Sequence, residues 1–247
     1  MSITAKLANK LKQNKVICML WCVCSKFTLV NEPELRLIKQ FVCKGAVCFD
    51  IGANIGSYTY AISSAAGRYG KVFAFEPLPE NLRILTFIIK FLRLKNTSLI
   101  PGAVSNKSGE MLINVPFIDG VQRNTRAHLT SSGDVNSVKV KVTTIADIVS
   151  KYNLHRVDFI KCDVEGAEKF VFEGGENFIK LNAPVIVCEL GAGSENFGLN
   201  DNEVFSYIKS LCDYKAYVYT DRLLKQVANY QEEYINYVFM KKQGTCL

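Results

Sequence analysis

Phe49-Asp50-Ile51-Gly52-Ala53-Asn54-Ile55-Gly56 follows the apolar residues Ala46-Val47-Cys48 and leads directly into a stretch, 55–66, with helical periodicity. A buried strand that ends in a glycine turn and enters a helix is the opening unit of a parallel α/β sheet. Gly52 and Gly56 carry no Cβ where a ligand has to approach the backbone, and the helix behind them begins with N–H groups that have no partner inside the helix. A dinucleotide fingerprint requires Gly-x-Gly-x-x-Gly. Here the second glycine position is Asn54 and the third is Ser57.

Asp50 stands two residues before the first glycine, where a carboxylate aimed at the mouth of the site repels a pyrophosphate. It attracts a ligand that carries an ammonium and a sulfonium, and S-adenosylmethionine is such a ligand. Twenty residues beyond Gly56 the next apolar run, 71–75, ends in Glu76-Pro77. An acid at that place can accept hydrogen bonds from both ribose hydroxyls, and Pro77 offers a flat apolar face for adenine.

Outward from this turn, apolar runs alternate with amphipathic ones. The pattern predicts helices over 79–92, 145–152, 167–172 and 201–211. Strands are expected over 46–51, 71–75, 98–101, 157–162 and 184–189, with a pair at 110–115 and 138–142 and a closing pair at 214–219 and 234–240. The run 157–162 reads as apolar on both faces. It ends in Asp163-Val164-Glu165-Gly166-Ala167-Glu168, a tight turn into a helix. Ligands of open parallel sheets sit beyond the carboxyl ends of the strands, near the point where strand order reverses. Asp50, Glu76, Asp163 and Glu189 are therefore expected to point into one crevice, where a cation or a shared proton has to offset their charge. Glu168 reads as a helix N-terminal acid favoured by the macrodipole, and Glu165 reads equally as that or as a site residue.

Phe49 to Gly56, Ala74-Phe75-Glu76-Pro77, Gly102-Ala103-Val104-Ser105, Ile160 to Glu168 and Val187-Cys188-Glu189-Leu190 together resemble the FkbM family of S-adenosylmethionine-dependent methyltransferases, over roughly residues 46–190. The resemblance implies a Rossmann-like class I methyltransferase fold: a mostly parallel seven-stranded sheet of order 3-2-1-4-5-7-6, the seventh antiparallel, with helices on both faces. It implies O-methylation of a small molecule, sugar or glycan. It assigns Asp50 and the turn of Gly52, Asn54 and Gly56 to the amino-acid half of the cofactor, Glu76 to the ribose, Pro77, Ala103 and Ser105 to adenine, Tyr58 and Thr59 to the cofactor site as a whole, and Asp163 to the cofactor and the orientation of the acceptor. Ile145-Ala146-Asp147 departs from the family's usual Leu-Asp-Asp.

Removing the proton of an aliphatic hydroxyl calls for a general base. Asp163, Glu165, Glu189 and His128 are the candidates. His128 falls in the polar stretch 119–136, where a solvated histidine is the plainer reading; His155 precedes the strand and belongs to the opposite sheet edge. Mg2+ held by Asp163 and Glu189 is a variant set below the metal-free one, because no full oxygen-ligand set is visible. With two histidines and no Cys-x-x-Cys pair, a zinc site is not expected.

The 247 residues, 49% hydrophobic and 11% aromatic, can bury a full core, which excludes disorder. Two segments are expected: a basic helical extension over 1–44 and the methyltransferase domain over 45–247. The extension holds eight basic and two acidic side chains, hence +6 of the net +7, so the remainder is near neutral and no nucleic-acid partner is expected. An RNA ribose methyltransferase and a non-catalytic cofactor-binding module remain as alternatives. Ile3, Leu7 and Leu11 recur at helical spacing, and the apolar run 16–24 is too short to span a bilayer. A helix packed on the domain is expected, with docking to an anionic membrane face as the second reading. Nine scattered cysteines fit a reducing cytoplasm better than a disulfide framework.

Overall fold

A computed structural model describes residues 35, 37–115, 117–118, 121–122, 128–130, 137–191, 193–220 and 223–241. The helix expected near residues 3–11, the apolar run 16–24 and most of the polar stretch 119–136 lie outside them. Among the described residues no helix is long and apolar enough to cross a membrane.

The short helix α1 (Ile38–Phe41) precedes β1 (Val47–Ile51), α2 (Ser57–Ala66), β2 (Lys71–Glu76), α3 (Pro79–Phe91) and β3 (Thr97–Pro101). These three strands pair in parallel, as strands joined by helical crossovers must. Four strands, β4 (Ala103–Val104), β5 (Gly109–Asn114), β8 (His128–Thr130) and β9 (Ser137–Thr143), form a separate small sheet. Between β5 and β8 lies the hairpin of β6 (Phe117–Ile118) and β7 (Val121–Gln122). The main chain then continues through α4 (Ile145–Lys151), β10 (Phe159–Cys162), α5 (Glu168–Glu173), α6 (Glu176–Asn182), β11 (Val185–Glu189), α7 (Asp201–Leu211), β12 (Lys215–Thr220), β13 (Leu223–Val227) and β14 (Asn236–Met240).

The large sheet runs β13-β12-β14-β11-β10-β1-β2-β3, with β14 antiparallel to both of its neighbours. Without β13 this is the expected order of seven strands. β13 is the addition: an eighth strand that pairs with β12 alone and lies mostly exposed. Helix α6 was not expected either.

Strand alternation sorts the core onto two faces. Phe49, Phe73 and Phe75 meet edge to face at ring separations of 5.6 Å on the face covered by α4 to α7. Cys48, Phe159, Val187 and Val238 occupy the other, under α1 and α2. Leu35, Leu37, Ile38, Phe41 and Val42 are buried in that second cluster, so the boundary expected at residues 44/45 cuts through a packed contact. Cys48, Cys162, Cys188 and Cys212 are buried free thiols.

Candidate active site

The order of strands reverses between β1 and β10, and the turns that follow these two strands touch. The Asp163 N–H donates to the Ile51 carbonyl at 3.0 Å. A Cβ on Gly52, whose φ is +83°, would lie 1.8 Å from the Asp163 carbonyl oxygen. The glycine is thus required by the approach of two protein loops, where the sequence suggested the approach of a ligand. Beyond this contact a cleft opens, lined by Gly52, Asn54, Phe75, Glu76, Pro77, Leu78, Asn81, Ala103, Ile113, Asp163 and Glu165 among others. Ala103 and Ile113 come from the small sheet, which forms one wall.

Glu76 is held in the cleft by three hydrogen bonds. Its Oε1 accepts from the Leu78 N–H at 2.9 Å and Asn81 Nδ2 at 3.2 Å, and its Oε2 from the Asn54 N–H at 2.8 Å. A carboxylate offers about four acceptor positions, so one remains, on the Oε2 side, for a ribose hydroxyl rather than the two bonds first expected. Burial pushes its pKa up to about 7, although the Leu78, Asn81 and Asn54 donors pull it down. Asn54 holds a left-handed backbone, φ 50°, so that its N–H reaches the acid; asparagine is among the residues that tolerate this conformation.

Asp50 departs from expectation. It is 1% exposed and does not line the cleft; its carboxylate accepts the Thr59 hydroxyl at 2.5 Å and ties the first turn of α2 to the end of β1. Burial raises its pKa to about 6. Thr59 is spent on this bond. Tyr58 faces the ammonium of Lys161 across 4.9 Å, and Gly56 packs under Leu85. Ser105 is buried and gives its N–H to the Thr143 carbonyl at 3.0 Å. None of these four lines the cleft.

On the other strand, Asp163 reaches the cleft with its side chain 33% exposed. Glu165 has φ 57°, an uncommon backbone for a glutamate that recurs where function or tight packing requires it. Glu168 braces this turn: it is 2% exposed and its Oε1 accepts the N–H groups of Val164 and Gly166, both at 3.1 Å. The structural reading of Glu168 therefore stands, with a turn to hold rather than only a dipole to complement. Burial lifts its pKa to about 7. Asp147, in the departing Ile-Ala-Asp stretch, gives its N–H to the Thr144 hydroxyl, and its carboxylate accepts the Ser108 hydroxyl, at the exposed start of α4.

Glu189 sits half-buried at the end of β11 and is not a wall of the cleft. The backbone of His128 pairs with Asn114 in the small sheet. Among the described residues no three of His, Cys, Asp and Glu gather into a metal-ligand group. The cation that offsets the acids is Lys161. It is 2% exposed, within a strand that read as wholly apolar, and 3.7 Å from Asp163. Sequence reasoning missed it because the run 157–162 reads as apolar on both faces, and a lone lysine among Phe159, Ile160 and Cys162 does not change that pattern. It also missed Asn81, whose only signal is its place one turn into the helix after Glu76-Pro77.

The parallel sheet with its antiparallel seventh strand, and acids closing the turns after β1 and β2, define the class I methyltransferase fold. Family comparison makes this particular. The model of the methyltransferase FkbM domain matches residues 50–219, and the chain belongs to that family. It is 26% identical over 170 residues to hexuronic acid methyltransferase AglP of Haloferax volcanii. That match covers 66% of this chain and 63% of AglP, so the chain spans less than two thirds of the length of this curated relative. The solved methyltransferase FkbM from Methylobacillus flagellatus KT superimposes with a TM-score of 0.53 at 15% identity, over 94% of this chain and 57% of the other. At that identity the likeness is one of fold.

Proposed function

We propose that this protein is an S-adenosylmethionine-dependent O-methyltransferase acting on a hydroxyl of a sugar, glycan or other small molecule. The observation that carries the reading is the buried Glu76, bonded in place beside a small-residue and apolar wall of Pro77, Leu78, Ala103 and Ile113. The remaining acceptor position on Glu76 fits a ribose hydroxyl, and the wall fits a purine. The Gly52–Asn54 turn ahead of α2 fits the amino-acid moiety, with the buried Asp50 contributing negative potential from beneath it.

When bound, the cofactor supplies an electrophilic methyl group on a cationic sulfur. The chain's part is to hold the acceptor in line and to take up its hydroxyl proton, and Asp163 and Glu165 are the cleft acids available for it. Orientation of this kind is worth several kcal/mol, up to roughly 7–11, and a general base adds roughly 10²–10⁴-fold. The sugar class of acceptor draws support from AglP, whose name gives a hexuronic acid as its substrate.

Calorimetry with S-adenosylmethionine and its demethylated product tests the donor. Saturable binding of both is expected, and NAD uptake without either would end the reading. A screen of uronic-acid and neutral glycans with labelled donor then tests the acceptor.

A further inference from the structure

An ammonium buried in a protein costs several kcal/mol unless it is paired. Lys161 is 2% exposed at the centre of the large sheet. Its surroundings can be named strand by strand. From the end of its own strand comes Asp163, at 3.7 Å. From α2 comes the Tyr58 ring, at 4.9 Å. Asp50 of β1 is its register partner, and Val187 of β11 is its partner on the other side. Alternation therefore puts Glu189, two residues beyond Val187, on the same face. Asp50 thus lies directly beside Lys161, and Glu189 lies on the same face two residues further along β11.

Of these acids only Asp163 lines the cleft. Its backbone is fixed through the Ile51 carbonyl. For its side chain, Lys161 is the one cation within 4 Å among the described residues. A carboxylate so exposed needs a tether if it is to be presented in one orientation.

We propose that Lys161 is a positioning residue: its buried ammonium, braced by the Tyr58 ring, tethers the Asp163 carboxylate at the wall of the cleft and balances the acids at the ends of β1 and β11. The ligand consequence rests on the methyltransferase reading; the tether itself does not. The tether separates charge from bulk, because methionine matches the lysine's length without its charge and arginine keeps the charge.

The test is a double-mutant cycle on Lys161 and Asp163, read by calorimetry with S-adenosylmethionine and by thermal denaturation of the ligand-free protein. K161M and D163N are each expected to weaken binding about tenfold, and the double variant also about tenfold rather than a hundredfold, because both remove one interaction. K161R is expected to stay within about threefold of the parent. In denaturation the double variant is expected to melt above K161M, since it carries one fewer carboxylate deprived of the ammonium. If K161M does not fold, folding of the double variant supports the tether and failure of both overturns it. The proposal is also overturned if the two effects multiply in binding, or if K161M matches K161R. If the parent binds no S-adenosylmethionine the methyltransferase reading fails, and the denaturation cycle still decides the tether.

Discussion

Glu76 and Asp163 line the same cleft, and the protein holds them in different ways. Glu76 is 4% exposed and carries three hydrogen bonds, two of them from backbone N–H groups that cannot move without moving the turn. Asp163 is a third exposed and is reached by a single lysine at 3.7 Å. On the function proposed above, the difference matches two tasks of the cleft. A donor of constant shape is served by a seat formed before it arrives, whereas an acceptor side has to admit a second molecule and keep a carboxylate open to it.

The comparison can be broken most severely at the contact between its halves. A G52A substitution puts a methyl group 1.8 Å from the Asp163 carbonyl oxygen on a backbone of φ +83°. It should destabilise the protein by roughly 3 kcal/mol or more, read by denaturant titration, and remove donor binding. Donor binding at parental strength in G52A would mean that the two turns can separate freely.

Next in size is Glu76 itself. E76A strands three donors and should weaken S-adenosylmethionine binding roughly 30- to 100-fold in calorimetry. Because burial holds its pKa near 7 against an ordinary 4.5, the folded state keeps the proton more tightly than the unfolded state. The stability it contributes is full below about 4.5 and is lost as pH rises towards 7 and beyond. Donor affinity should move the opposite way, rising across that window as the carboxylate ionises and can accept a ribose hydroxyl. E76Q should flatten that dependence, and an unchanged profile in E76Q would take the pH response away from Glu76.

Glu168 sharpens the comparison from the acceptor side. E168A leaves the Val164 and Gly166 N–H groups without their acceptor, a cost of about 2 kcal/mol in thermal denaturation, while donor affinity should change far less than in E76A. Equal loss of donor affinity in the two variants would mean that the halves are held as one unit. Smallest is E110Q on the small sheet, where Glu110 pairs with Lys139 in solvent. No measurable change in melting temperature or donor affinity is expected.

Legibility in the sequence followed the same division. The turn after β1 and the acid ending β2 were visible because their residues are close in the chain: Gly52 to Gly56, then Glu76-Pro77 at the end of the next apolar run. What went unseen there was Asn81, which acts through a side chain on the following helix. After β10, Asp163 and Glu165 were visible as a turn, but their supports were not. Lys161 was hidden by its apolar neighbours, and the Gly166 turn packs against Gly193, 27 residues away, where a Cβ would fall 2.2 Å from the Gly193 carbonyl carbon. β13 escaped notice because Leu223-Leu224-Lys225-Gln226-Val227 is an exposed edge strand without alternation, held by pairing to β12 alone.

Local sequence was enough for most of the strand and helix order, though not for α6 or β13, and for the family resemblance and the carboxylates at the strand ends, since periodicity and short motifs are properties of neighbouring residues. The tertiary structure decided which of those carboxylates reach the cleft. Asp50 turned inward to Thr59 and Glu189 stayed out of the wall, while Asp163 remained exposed beside a buried lysine. That choice depends on register and loop packing between distant segments, where burial, pairing and the fit of backbone against backbone set the energy of each charge.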